Sequence, residues 1–131
     1  MGGTSLHRMR EMADETSELL TVTPSQVDPG TVMIAAVGEI DVFSAPVLHA
    51  HLERALAAPG VRRVVLDLLM VDFLGSAGLG ILVTASRTAV RQGSALHIVV
   101  GDHGPARRPI EVMGLDRHLN LHQSVSDALG A

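Results

Sequence analysis

Ser76 lies in the segment Val71-Asp72-Phe73-Leu74-Gly75-Ser76-Ala77-Gly78-Leu79-Gly80, a hydroxyl set among three glycines. A phosphate-cradling nucleotide loop needs Gly-Lys-Ser/Thr after its glycines, and this chain has no Lys. The dinucleotide fingerprint runs G-x-G-x-x-G, whereas the spacing of Gly75, Gly78 and Gly80 is the reverse. A hydrolase nucleophile elbow is G-x-S-x-G on a strand, a turn and a helix. Here residue 74 is Leu, and the Asp and His available for a triad are Asp102/His103 or Asp116/His118. On one short domain without an evident pocket, hydrolysis is not the expected chemistry. A phosphate on Ser76 would be locally tolerable. A phosphate at a helix start meets free amides and the positive end of the helix dipole. It also brings about −1.5 to −2 charges to the surface. Asp41 and Asp72 belong to loops expected at the same sheet edge, so the modified patch would eject a partner fitted to the neutral hydroxyl.

The elements around Ser76 must position it between a buried strand and an amphipathic helix, where an N-cap is expected. A cap alone would account for the serine. The glycines add something, because Gly inside a helix costs up to about 1 kcal/mol relative to Ala. Two in the first turns imply either a close approach to the backbone by a partner or tight packing of the helix on the sheet.

Leu19 to Val27 reads as a strand, Asp28-Pro29-Gly30 as a turn, and Thr31 to Val37 as a second strand closing a hairpin at Gly38. A loop from Glu39 to Phe43 leads to Ser44-Ala45-Pro46, where Ser caps and Pro occupies the first turn of a helix. Ala45, Leu48, Leu52, Ala55 and Leu56 fall at helical spacing, and Pro59-Gly60 ends the helix. Val61 to Leu69 carries the apolar run of a strand covered on both faces. A loop from Met70 to Gly75 precedes the Ser76 helix, whose stripe is read as Leu79, Leu82, Val83, Ser86 and Val90. Ala95 to Val100 is a strand, Arg107 to Met113 a helix, His118 to His122 a short strand, and Ser124 caps a last helical turn. The order ββαβαβαβα predicts an α/β fold with a mixed, mainly parallel sheet of four to five strands and about four helices. Residues 1–18 are expected to be a disordered N-terminal tail and 19–131 the single domain.

Composition excludes several function classes. The chain has 131 residues, a net charge of −4, no Cys, no Trp, no Tyr and two Phe. Without cysteine there are no disulfides, thiolate metal sites or cysteine nucleophiles. The scarcity of rings and of basic clusters argues against nucleic acid as a partner. No apolar run approaches the roughly 18 residues of a membrane span, and residues 1–18 hold no signal-peptide core. The expected location is the cytoplasm, with no membrane contact. All ten basic residues are Arg, which points to a high-GC bacterial genome. His49 and His51 are two apart on a helix and point in different directions. With His118 and His122 they read as scattered surface groups rather than metal ligands. Asp67 reads as a strand-end carboxylate bonded to backbone amides, and Arg107-Arg108 as a solvated helix start.

Three segments together resemble the bacterial anti-sigma factor antagonists of the STAS domain family. They are Gly38-Glu39-Ile40-Asp41 with Ser44-Ala45-Pro46, Val64-Val65-Leu66-Asp67-Leu68 through to Gly80, and Gly114-Leu115-Asp116 with Leu121 to Leu129. The resemblance implies a protein without catalysis or cofactor that binds an anti-sigma factor, itself a serine kinase, and so releases a sigma factor. By the same resemblance the kinase phosphorylates Ser76 and ends the contact, and a serine phosphatase restores it. Asp41, Val42, Phe43 and Ser44, with Gly75, Ala77, Gly78 and Leu79, would form the docking surface. Gly75 departs from the Asp that commonly precedes the modified serine in the family. A STAS adaptor that regulates another complex, a transporter ATPase or a stress-signalling assembly, with Ser76 unmodified, is the alternative.

Overall fold

The computed structural model describes residues 19–131, so the expected tail at 1–18 lies outside the described residues. Five strands form one sheet in the order β1-β2-β3-β4-β5. They are β1 (Leu20–Asp28), β2 (Thr31–Ile40), β3 (Arg63–Leu74), β4 (Ala95–Val99) and β5 (Asn120–His122). The helices are α1 (Ala45–Ala57), α2 (Ser76–Arg91), α3 (Arg107–Val112) and α4 (Val125–Gly130), with a 3-10 turn at Leu115–Arg117. β1 and β2 form the antiparallel hairpin and every other pairing is parallel. The element order and the mixed sheet are those the sequence predicts. Pro24 sits in β1, an edge strand, where its missing N–H costs no ladder bond.

Alternation along the strands assigns each face. Ile34, Ala36, Val64, Leu66, Leu68 and Ile98 join the main core with Leu48, Leu52, Leu79 and Leu82 of α1 and α2. Val65 and Val99, one step out of phase, pack on the other face against Ala128, Val125 and Leu129 of α4. Ser124 caps α4 as expected, accepting from the Asp127 amide at 3.1 Å.

Two strands run further than their composition announces. β2 continues through Gly38 to Ile40, and β3 continues through Met70–Leu74, which the sequence reads as loop. The cause is pairing: Val37 faces Met70, Glu39 faces Phe73 and Ile40 faces Leu74, with irregularities that absorb the register shifts. Gly38 is required there, since its φ of 121° is a glycine conformation and a Cβ would overlap the Leu19 carbonyl. The extension carries β3 directly to the start of α2, and so places Ser76.

Candidate functional site

Ser76 is not the N-cap of α2. Gly75 holds that position, in extended backbone, and Ser76 is the first helical residue, with no side-chain cap bond at this helix start. The Ser76 side chain is exposed and, among the described residues, donates and accepts no hydrogen bond. The amides of Ser76, Ala77 and Gly78 begin the helix without intrahelical carbonyls to bond; the first such bond here runs from the Leu79 N–H to the Gly75 carbonyl, 3.1 Å. An unbonded hydroxyl therefore stands among free donors.

The β2–α1 loop lies against this corner because the Gly75 N–H donates to the Ile40 carbonyl at 2.9 Å. Gly78 brings the two elements closer still. A Cβ at Gly78 would lie 2.6 Å from both Ile40 Cγ2 and Leu74 Cδ1. Of the two readings of the glycines, tight packing accounts for Gly78. Gly80 differs, having nothing within 4 Å of a Cβ.

Asp41 and Ser44 build the loop as a latch. Asp41 Oδ1 accepts from the Phe43 and Ser44 amides, each at 2.9 Å. The Ser44 hydroxyl donates to the Glu39 carbonyl at 2.7 Å and accepts from the Asp41 amide at 2.9 Å. Ser44 accordingly does not cap α1 with its side chain, as the sequence predicts it would; it is spent inside the loop. The Ser44 amide is the largest cause holding the Asp41 carboxyl below its ordinary pKa, against a smaller opposing effect of desolvation. Asp41 is thus a carboxylate at neutral pH. Ser44→Ala is expected to lower unfolding free energy by about 1 kcal/mol, because it removes the part-buried bonds to the Glu39 carbonyl and from the Asp41 amide. Urea unfolding of both proteins measures this, and equal midpoints would refute the latch.

Of the residues expected to form a docking surface, Val42 and Phe43 are exposed and Ala77 and Gly75 are half-buried. Ser44, Gly78 and Leu79 are buried and offer no surface in the free chain; Asp41 is half-buried and engaged with its own loop. Phe73 is a residue the sequence reading passes over. Its ring lies 3.2 Å from where a Gly75 Cβ would stand, beside Ser76. Both Phe of the chain are therefore at this corner and largely outside the core, Phe43 68% and Phe73 48% exposed. Their placement was detectable in one respect: a chain with two rings that keeps neither in its core has another use for them.

Asp67 lies inside β3 rather than at a strand end, because β3 runs on to Leu74, but its carboxylate does accept from a backbone amide, that of Leu69, at 2.9 Å. The sheet also joins two histidines the sequence does not pair, His97 Nδ1 lying 2.9 Å from His122 Nε2. Burial, then the neighbouring His122 and Arg63, push the pKa of His97 down. Among the described residues no three His, Cys, Asp or Glu gather as a metal site, and no helix is long and apolar enough to cross a membrane.

The mixed five-stranded sheet and its helices are the frame of a known domain family. Residues 23–128 match the STAS domain, and the chain belongs to that family. Within it, the chain is 35% identical over 111 residues to the anti-sigma-F factor antagonist RsfB of Mycobacterium tuberculosis, covering 84% of this chain and 87% of that protein. The crystal structure of an anti-sigma factor antagonist from Mycobacterium paratuberculosis superposes with a TM-score of 0.75 at 34% identity, over 85% of this chain and 92% of the other. The Bacillus cell fate determinant SpoIIAA, in its phosphorylated form, shares the fold at a TM-score of 0.64 and 18% identity, over 84% and 97% of the two chains.

Proposed function

We propose that this chain is an anti-sigma factor antagonist: it docks on an anti-sigma factor that is also a serine kinase, and so frees a sigma factor for transcription. The kinase transfers phosphate from ATP to the Ser76 hydroxyl, which ends the contact, and a serine phosphatase restores it. The chain itself is a substrate and a binding partner in the cytoplasm, with no catalysis and no cofactor. The observation that carries this reading is the corner itself, where an unbonded, exposed Ser76 follows Gly75, which lies beside Phe73 and whose N–H ties it to Ile40 at the base of the loop bearing exposed Val42 and Phe43. Likeness at 35% identity to a protein named an anti-sigma-F factor antagonist supports the partner class.

Roles divide by exposure. Val42, Phe43, Phe73 and Ala77 meet the partner, while Asp41, Ser44, Gly75, Gly78 and Leu79 hold the corner in shape. Aromatic side chains in such a position are typical anchors of interfaces. Phe43→Ala is expected to weaken binding to the cognate anti-sigma factor at least about tenfold, with thermal unfolding unchanged because the ring is outside the core. Titration calorimetry of Phe43→Ala and the native chain against the anti-sigma factor tests this. Unchanged affinity would place the interface elsewhere.

Gly75 favours a second reading, a STAS adaptor for another complex in which Ser76 stays unmodified. No carboxylate precedes Ser76 to orient the serine or an approaching kinase.

A further inference from the structure

The apolar stripe that the sequence assigns to α2 does not all face the core. The buried residues of α2 are Gly78, Leu79, Leu82, Ala85 and Ala89. Val83, Ser86 and Val90 turn aside and line a groove of about 640 Å³, whose opposite wall includes Leu115 and Leu119. Val90 is 76% exposed, the most exposed of the large apolar residues of the described chain. Half-buried Val83 and exposed Val90 lie seven residues apart on one stripe, so the apolar surface of α2 continues beyond its core-facing side.

The rim of the groove is cationic. Arg87 and Arg91 come from α2, one turn apart, and His118 lines it from the other side. Arg91 reaches only the Thr88 hydroxyl, at 3.3 Å, and Arg87 makes no ion pair or hydrogen bond among the described residues. Ser86 lines the same groove, and its Oγ is buried without a hydrogen-bond partner among the described residues. An apolar floor with a few convergent polar groups, in a volume of roughly 300–1,000 Å³, is the ordinary form of a small-ligand site. Guanidinium groups at its edge select an anionic head, carboxylate or phosphate geometry being what they bind best.

The geometry points to a binding site for an amphipathic carboxylate, its chain laid over Val83, Val90 and Leu115 and its head group on Arg87 and Arg91. This site is separate from the Ser76 corner: it runs from about 10 to about 20 Å along the same helix from Ser76, at 1.5 Å per residue. Neither site requires the other to be occupied.

Dodecanoate, below its critical micelle concentration, is the probe, titrated into the full 131-residue chain and followed by amide NMR and calorimetry. Saturable binding is expected, with shifts concentrated on Val83, Val90, Leu115 and Leu119. The double variant Arg87→Glu/Arg91→Glu should lose at least about tenfold in affinity without a change in thermal unfolding. Val90→Asp, at an exposed position, should give a comparable loss and serves if the double variant folds poorly. Dodecyltrimethylammonium, with the same tail and a cationic head, should not bind. Absence of saturable dodecanoate binding would overturn the proposal. So would equal binding of the cationic amphiphile, or a chain that instead dimerises through this face and becomes monomeric as Val90→Asp.

Discussion

Ser76→Glu is expected to weaken binding to the cognate anti-sigma factor by about 100-fold, whereas Ser76→Ala stays within about threefold of the native chain. The asymmetry follows from what surrounds the hydroxyl. Ser76 Oγ makes no hydrogen bond among the described residues, so removing it breaks nothing in the free chain. Adding a charge is different. The corner already carries the Asp41 carboxylate, held in its ionised form by the Ser44 and Phe43 amides. It is bordered by Val42, Phe43 and Phe73, whose value to a partner depends on expelling water. A glutamate carboxylate trapped against such a surface is desolvated beside a like charge, and a penalty of about 3 kcal/mol corresponds to the 100-fold loss. The free protein tolerates the same charge, because the first amides of α2 have no helical acceptors. Surface plasmon resonance of the three proteins against the anti-sigma factor, with circular dichroism as the control for folding, reads the effect. Equal affinities for Ala and Glu would remove the electrostatic basis of the switch.

Gly78→Val is expected to cost about 3 kcal/mol of stability and to lower Tm by roughly 10 °C. The position tolerates no side chain, since a Cβ would lie 2.6 Å from Ile40 Cγ2 and from Leu74 Cδ1. Both neighbours are buried, Ile40 completely, so neither has room to move aside. The helix must lift from the sheet, and the Gly75 to Ile40 bond that joins the two loops is strained with it. Gly80→Ala is the internal control. It lies two residues along the same helix with nothing near its Cβ, and the substitution should stabilise by about 0.5–1 kcal/mol through helix propensity alone. Differential scanning calorimetry of both variants decides the matter. If both glycines respond alike, the close approach of α2 to β2 and β3 is not what Gly78 provides.

Much of this fold was legible in the sequence because its signals are local. The α1 stripe of Ala45, Leu48, Leu52, Ala55 and Leu56 is the set that is buried. The Asp28-Pro29-Gly30 turn stands between β1 and β2. The failures have a common cause in contacts between distant segments. Met70–Leu74 looks like loop because Asp72 interrupts it, yet β2 supplies the pairing that makes it strand. In α2 the larger Val83 and Val90 outweigh Ala85 and Ala89 as sequence signals. The small residues are the ones that face inward, since Gly78 sets a close helix-to-sheet distance. Ser76 itself was legible, as a hydroxyl among glycines at a strand-to-helix junction. The Asp41–Ser44 latch was not, because side-chain bonds to loop amides leave no periodic pattern. Ser44 holds the N-cap position of α1 as its sequence predicts but spends its hydroxyl inside its own loop, whereas Gly75, not Ser76, holds the N-cap position of α2 and leaves the Ser76 hydroxyl free.

The central claim is that Ser76 is the acceptor of a phosphate that ends partner binding. Incubating the chain with its cognate anti-sigma factor and ATP, then measuring phosphate by peptide-level mass spectrometry and complex by size exclusion, tests it most directly. The expected result is one phosphate per chain, on Ser76, with the complex lost in step with modification and retained when ATP is omitted. A complex that persists with ATP and a chain that stays unmodified at Ser76 would contradict the switch and leave the adaptor reading in its place.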